Sequence, residues 1–145
     1  MSVLTTFEAV AEAFATFKVY WDTTGYDAVY PNKGTDMPTD TASPVAPAPY
    51  ARLRVRHFPG DQALSGRPRL YTETFTLTVE VRVPAGVGSK PAYDLAGAVK
   101  AHFEDTGRTA SGCVWFRNAR IQEIGEDGAW WLVWAQVDAV YDVLR

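Results

Sequence analysis

Two long runs of alternating side chains set the strongest limit on how this chain folds. From about Arg69 to Val83, Tyr71, Phe75, Leu77, Val79, Val81 and Val83 share one side, with Glu73 among them. Thr72, Thr74, Thr76, Thr78, Glu80 and Arg82 share the other. From about Ala129 to Val143, Trp131, Val133, Ala135, Val137, Ala139, Tyr141 and Val143 form a second apolar row, backed by Trp130, Leu132, Trp134, Gln136 and Asp138. Period two is the signature of a strand. A strand of roughly fifteen residues spans about 50 Å, against a usual length of about five or six residues, so one end is expected to project as a β-arm. Each run has one continuous apolar face, and that face needs a cover.

The rest of the chain supplies the cover. Val3, Phe7, Val10, Phe14, Phe17 and Trp21 recur at helical spacing, which predicts a helix from about residue 3 to 18 with Ser2 or Thr5 as its cap. Ala92, Leu95, Val99 and Phe103 do the same for a second helix, started at Ser89 or Lys90 and ended at Gly107. Asp27 to Asn32 reads as a short strand. Tyr50 to Phe58 alternates Ala51, Leu53, Val55 and His57 against Arg52, Arg54 and Arg56. Pro59 to Pro68 reads as a turn, Cys113 to Ile124 as a strand, and Gly125 to Gly128 as a hairpin turn. Lys33 to Pro49 is rich in Pro and Thr, has few large apolar residues, and is expected to be a long exposed loop. The order helix, short strand, hairpin, helix, hairpin predicts an α+β fold. Its sheet is mostly antiparallel, of four to five strands, with two helices packed on one face and one long hairpin arm. Residues 1–145 make one domain.

Composition narrows the chemistry. One cysteine, Cys113, excludes an intrachain disulfide framework, and two histidines leave little for a metal cluster. The N-terminus lacks a basic region and carries Glu8 and Glu12, unlike a signal peptide. The longest apolar run, Ala129 to Ala135, is too short to span a bilayer. The expected setting is a soluble protein in a reducing compartment. A net charge of −3 gives no global basic field for nucleic acid. That sum hides a segregation: residues 51–90 hold seven bases and three acids, between acidic flanks.

Catalytic constellations are weak. Pro84-Ala-Gly-Val-Gly-Ser-Lys90 sits where a phosphate loop would, but its glycines are two apart and Lys90 follows Ser89. Nothing in the sequence places His57 or His102 beside Cys113. Glu123, Glu126 and Asp127 at the last hairpin, with Glu104 and Asp105 at a helix end, read as solvated acids. Asp36 and Asp40 lack calcium-loop spacing. Neither a catalytic residue nor a cofactor is assigned. The most ordered signal is the guanidinium stripe of Arg52, Arg54 and Arg56, about 7 Å apart along one strand face. It suits an acidic protein surface, a nucleic-acid backbone, or a solvated face with Glu73 or Glu80 as cross-strand partners. Trp130, Leu132 and Trp134 would lie on open surface if helices cover one face only, the alternative being that a helix or the long loop covers them. With Arg67 and Arg69 added, these residues form the expected protein interface.

The layout resembles the tail terminator (tail completion) proteins of long-tailed bacteriophages and gene transfer agents. The resemblance rests on the N-terminal helix with Phe14-x-x-Phe17 and Trp21, on Tyr30-Pro31-Asn32, and on the strand Ala51 to Phe58. It continues through Val81-Arg-Val-Pro84 with Gly86-x-Gly88, Leu95-Ala96, and Gly128-Ala-Trp130-Trp131. It implies a non-enzymatic virion subunit, without cofactor, assembled in the host cytoplasm at the head-proximal end of the tail. Such subunits form a homo-oligomeric ring, expected to be a hexamer. The ring caps the tail tube, ends its polymerisation and meets a head-side connector or stopper protein. DNA passes through the lumen without specific binding, and no membrane is involved. The Lys33–Pro49 loop departs from the compact family pattern. Another neck or connector component, or a small-ligand-binding or enzymatic α+β domain, is the alternative.

Overall fold

The computed structural model describes residues 5–31, 48–58, 61–64 and 70–144. The elements are α1 (Thr6–Trp21), β1 (Asp27–Val29), β2 (Tyr50–His57), β3 (Asp61–Leu64), β4 (Leu70–Pro84), α2 (Lys90–Thr106), β5 (Val114–Asp127) and β6 (Trp130–Leu144). Five strands lie side by side in the order β1-β2-β4-β6-β5, and β3 pairs with β4 beyond the end of β2. Among the described residues only β1–β2 is parallel, and the other pairings are antiparallel. The architecture is the expected α+β fold.

The sheet is built around the two long alternating runs. β4 and β6 pair along their whole length, from Leu70↔Leu144 to Pro84↔Trp130. Arg82, Thr78 and Thr76 therefore stand beside Leu132, Gln136 and Asp138 on one face, and Val81, Val79 and Leu77 beside Val133, Ala135 and Val137 on the other. The overhang of β4 past His57 is taken up by β3, so residues 61–64, expected in a turn, form a strand. The intervening residues 65–69, with the interface candidates Arg67 and Arg69, lie outside the described residues, as do residues 33–47 of the loop expected at 33–49.

Thr5, not Ser2, caps α1: its hydroxyl accepts from the Glu8 N–H while Glu8 accepts from the Thr5 N–H, a reciprocal capping box. Ser89 and Pro91 open α2, and Gly107, at φ 64°, closes it where an L side chain would be strained. Both helices pack on the apolar face. Phe17, Trp21, Ala96, Val99 and Phe103 join Leu53, Phe75, Leu77, Val79, Val133 and Tyr141 in one core. The α1 stripe is rotated from expectation. Ala9, Ala13, Phe17 and Trp21 are buried, while Phe7 is 80% exposed. Small alanines let the helix sit close to the sheet, and the larger Phe7 faces outward.

The last hairpin also differs. β5 runs through Gly125 to Asp127, and the turn is the two-residue Gly128-Ala129. Gly125, at φ 104°, sits at a register shift between Glu123 and Gly125, a β-bulge inside the strand. A second shift between Arg117 and Arg120 holds Asn118 at φ 59°.

Candidate interaction surfaces

The outer face of the sheet, opposite the helices, collects most of the residues singled out above. Its cross-strand rows follow from the register. Arg52 aligns with Glu80 and Trp134; Arg54 with Thr78, Gln136 and Arg120; Arg56 with Thr76, Asp138 and Arg117. The arginine stripe is thus not a bare basic strip. Arg54 is ion-paired at 3.4 Å to Glu80, one of the two partners that the solvated-face reading offers the stripe, and Arg56 lies over the Phe58 ring.

Glu80 is the hinge of this network. It is buried, and it binds both Arg54 and, at 3.3 Å, the buried Arg82. Arg82 in turn pairs with Asp127 at the end of β5 and stacks on Tyr50. A second network lies along the same face. Asp138 accepts from the Thr76 hydroxyl at 2.8 Å, from Asn118 Nδ2 and from Arg120. Burial alone would push the Asp138 carboxyl up. The hydrogen bonds from Thr76 and Asn118 and the Arg120 guanidinium outweigh it and hold the group below its ordinary range. Gln136 Nε2 donates to Thr78 Oγ1 at 3.1 Å, and Thr72 donates to Asp142 at 2.8 Å. The sequence shows alternation but not register, so the partners of Arg82 and Asp138 were out of its reach.

The three residues expected as an exposed apolar patch are not one. Trp130 is 1% exposed and Leu132 4%, packed with Val29 and Tyr50 in a small second core. The Tyr50 ring meets Trp130 edge-on at 4.9 Å. β1 and the start of β2 supply this cover without a helix. Trp134 is half-buried, and its indole N–H has no hydrogen-bond partner among the described residues.

The other candidates fall apart into separate places. His102 Nε2 donates to the Thr16 carbonyl at 2.8 Å and stacks on Tyr20 between the helices. His57 lies against Phe75. The buried Cys113 makes its polar contacts with Ser111. The Pro84–Lys90 loop is a strand-to-helix turn with Gly86 and Gly88 at positive φ. The shallow cleft beside it is lined by Glu123 and Glu126, which would repel a phosphate.

One surface was not anticipated. α1 is apolar on more than its core side: Phe7, Val10, Ala11, Phe14 and Ala15, with Tyr30 and Pro31, line a groove of about 380 Å³. The signal was present in the sequence, because only Glu8, Glu12 and Lys18 are charged within TFEAVAEAFATFKVYW. A helix apolar nearly all round normally has neighbours all round.

Comparison with known proteins agrees with this architecture. A search of curated proteins returns no match. One solved structure superposes with a TM-score of 0.63, at 18% identity, covering 98% of this chain and 97% of its own; that likeness concerns the fold. The family model described as phage tail terminator protein matches residues 6–137, from the first turn of α1 to the middle of β6. That span holds α1 to β5 and the first half of β6, and the chain belongs to the phage tail terminator family.

Proposed function

We propose that this chain is the subunit of a ring that caps the tail tube, ends its polymerisation and presents the surface to which the head-side connector joins. Family membership gives the coarser statement, a structural component of a phage tail. The ring is the finer reading, and one observation carries it. Among the described residues nothing covers the apolar groove side of α1, where Phe7 is 80% exposed. Monomers rarely leave such a patch open, whereas subunits of an assembly use it. The net basic residues 51–90 between acidic flanks give the chain a charge asymmetry of the kind that a head-to-tail ring can use. In this role the protein needs no catalytic group and no cofactor, and its place is the head-proximal end of the tail, reached after assembly in the host cytoplasm. The partners are further copies of itself, expected as a hexamer, the tail tube protein and the connector.

Mass photometry and electron microscopy of the full chain, alone and with polymerising tail tube protein, test this. The expected result is rings, and tubes whose growth stops with a ring at one end. A strict monomer at every concentration, with and without tube protein, would sink it. Binding to the connector but not to the tube would reassign the chain to another neck component.

A further inference from the structure

The sheet has two edges, and both present unpaired backbone among the described residues. On one side β1 pairs with β2 only from Asp27↔Tyr50 to Val29↔Arg52. Pro31 follows shortly, and proline has no N–H with which to extend a ladder. β2 runs on to His57. On its other side the Phe58 N–H donates to the Thr74 carbonyl at 3.0 Å. Antiparallel partners alternate between bonded and non-bonded pairs. Arg56 and Arg54 therefore turn their backbone groups toward β4, and Val55 and His57 turn theirs outward, past the end of β1.

The opposite edge is β5. Residues 107–109 cover its start, through Thr109 N–H to the Val114 carbonyl and Phe116 N–H to the Gly107 carbonyl. From Arg117 to Asp127 its outer side has no backbone partner among the described residues. Exposed edges invite another strand, and most folds blunt or cover them. Here the two edges differ in charge. β2 carries Arg52, Arg54 and Arg56; the free stretch of β5 begins with Arg117 and Arg120 and ends, around Ile124, in Glu123, Glu126 and Asp127, the last already paired with Arg82. They also differ in shape. The α1 groove begins at Tyr30 and Pro31, where β1 leaves β2, and the exposed Ile124 stands on β5.

We infer that the β2 edge of one copy receives the β5 edge of a second copy, with Ile124 of the second seated in the groove of Phe7, Val10 and Phe14. The inference rests on the ring reading and names the contact that builds the ring. Strand addition supplies main-chain hydrogen bonds, and the groove beside the open strand supplies side-chain selection. Because the two edges are unlike, each copy keeps one of each free of the described residues, and the contact repeats until the ring closes.

Hydrogen exchange of the full chain, compared between its monomeric and assembled fractions, reads this directly. The Val55 and His57 amides are expected to exchange fast in the monomer and to slow by roughly tenfold or more in the assembly. Val55→Pro removes an outward donor while leaving the β4 ladder in place, and is expected to weaken assembly at least about tenfold. Phe7→Ser and Ile124→Asp lie on exposed positions, are expected to fold normally, and should weaken it similarly. Protection of Val55 and His57 already in the monomer would overturn the inference. So would rings that form with these amides unprotected and with all three variants assembling normally, an outcome that leaves the ring reading intact. Protection gained only on adding tube protein would overturn the second copy as occupant. A chain that never assembles would overturn the ring and this contact together.

Discussion

On the inner face of β4, Phe75, Leu77, Val79, Val81 and Val83 are buried under α1 and α2. On the outer face the alternate residues of the same strand, Thr76, Thr78, Glu80 and Arg82, are buried as well, although no described helix lies over them. The inner residues lose water because a second layer covers them. The outer ones lose it sideways, to long neighbours on β2 and β6: Tyr50 and Arg54 on one side, Leu132 and Trp134 on the other. The kind of cover decides what each face holds. A packed layer suits apolar atoms, and its buried carboxylate, Glu73, accepts a hydrogen bond from the Tyr141 hydroxyl. Lateral cover instead leaves most polar groups within reach of one another, so that they pair. The inner face should therefore fail through cavities, and the outer face through unpaired groups.

Leu77→Ala should produce the largest effect, a loss of about 3 kcal/mol in chemical denaturation, because it opens a cavity beneath the helices. A loss under about 1 kcal/mol would show the helix layer to be loosely seated. Glu80→Ala should cost about 2 kcal/mol, since it strips Arg82 of one buried partner and Arg54 of its own. Replacing Glu80 and Arg82 together by methionine should recover most of that loss. If the double variant is as weak as the single, the outer face fails by cavities too and the contrast breaks.

Asp138→Asn should cost about 1 kcal/mol near neutral pH, with the gap to wild type closing as the solution is acidified. The native carboxyl is held below its ordinary range. Its contribution is thus complete above the unfolded-state value and is lost as pH falls through the native one. Denaturation series at neutral and acidic pH measure this, and a constant gap would assign the effect to shape instead of charge. Phe7→Ser should change monomer stability by less than about 0.5 kcal/mol, the least of the four, because Phe7 is exposed among the described residues. A large loss there would show that α1 packs on its outward side within one subunit.

Much of this fold was legible in advance because it follows from period. The two long alternations became β4 and β6, and the 3.6-residue spacings became α1 and α2 under the expected caps. The misreadings have physical causes. Gly125 looks like a turn residue, but a positive φ serves a bulge as well as a turn, and only the register with β6 separates the two. Asp61 to Leu64 is flanked by Gly and Pro and reads as a turn, yet β4 offers it an unpaired edge beyond β2. Phe7 was placed in the core because bulk usually seeks cover, whereas close packing favoured Ala9 and Ala13. Of the candidate surface residues, Arg54 and Arg56 stand exposed as their alternation implied. Trp130 and Leu132 do not, because a four-residue cluster with Val29 and Tyr50 closes over them.

The sequence by itself determined which segments are strands and helices, which side of each is apolar, and that chemistry by Cys113 or the histidines had no supporting pattern. Those are local properties, set by backbone periodicity and by the residue types present. Register, edge and cover were decided by the tertiary structure. They are relations between segments tens of residues apart, so no single segment records them. Glu80 becomes a buried double partner, Asp138 a carboxylate held in its charged form, and Val55 an outward-facing edge residue only once β2, β4, β6 and β5 lie side by side.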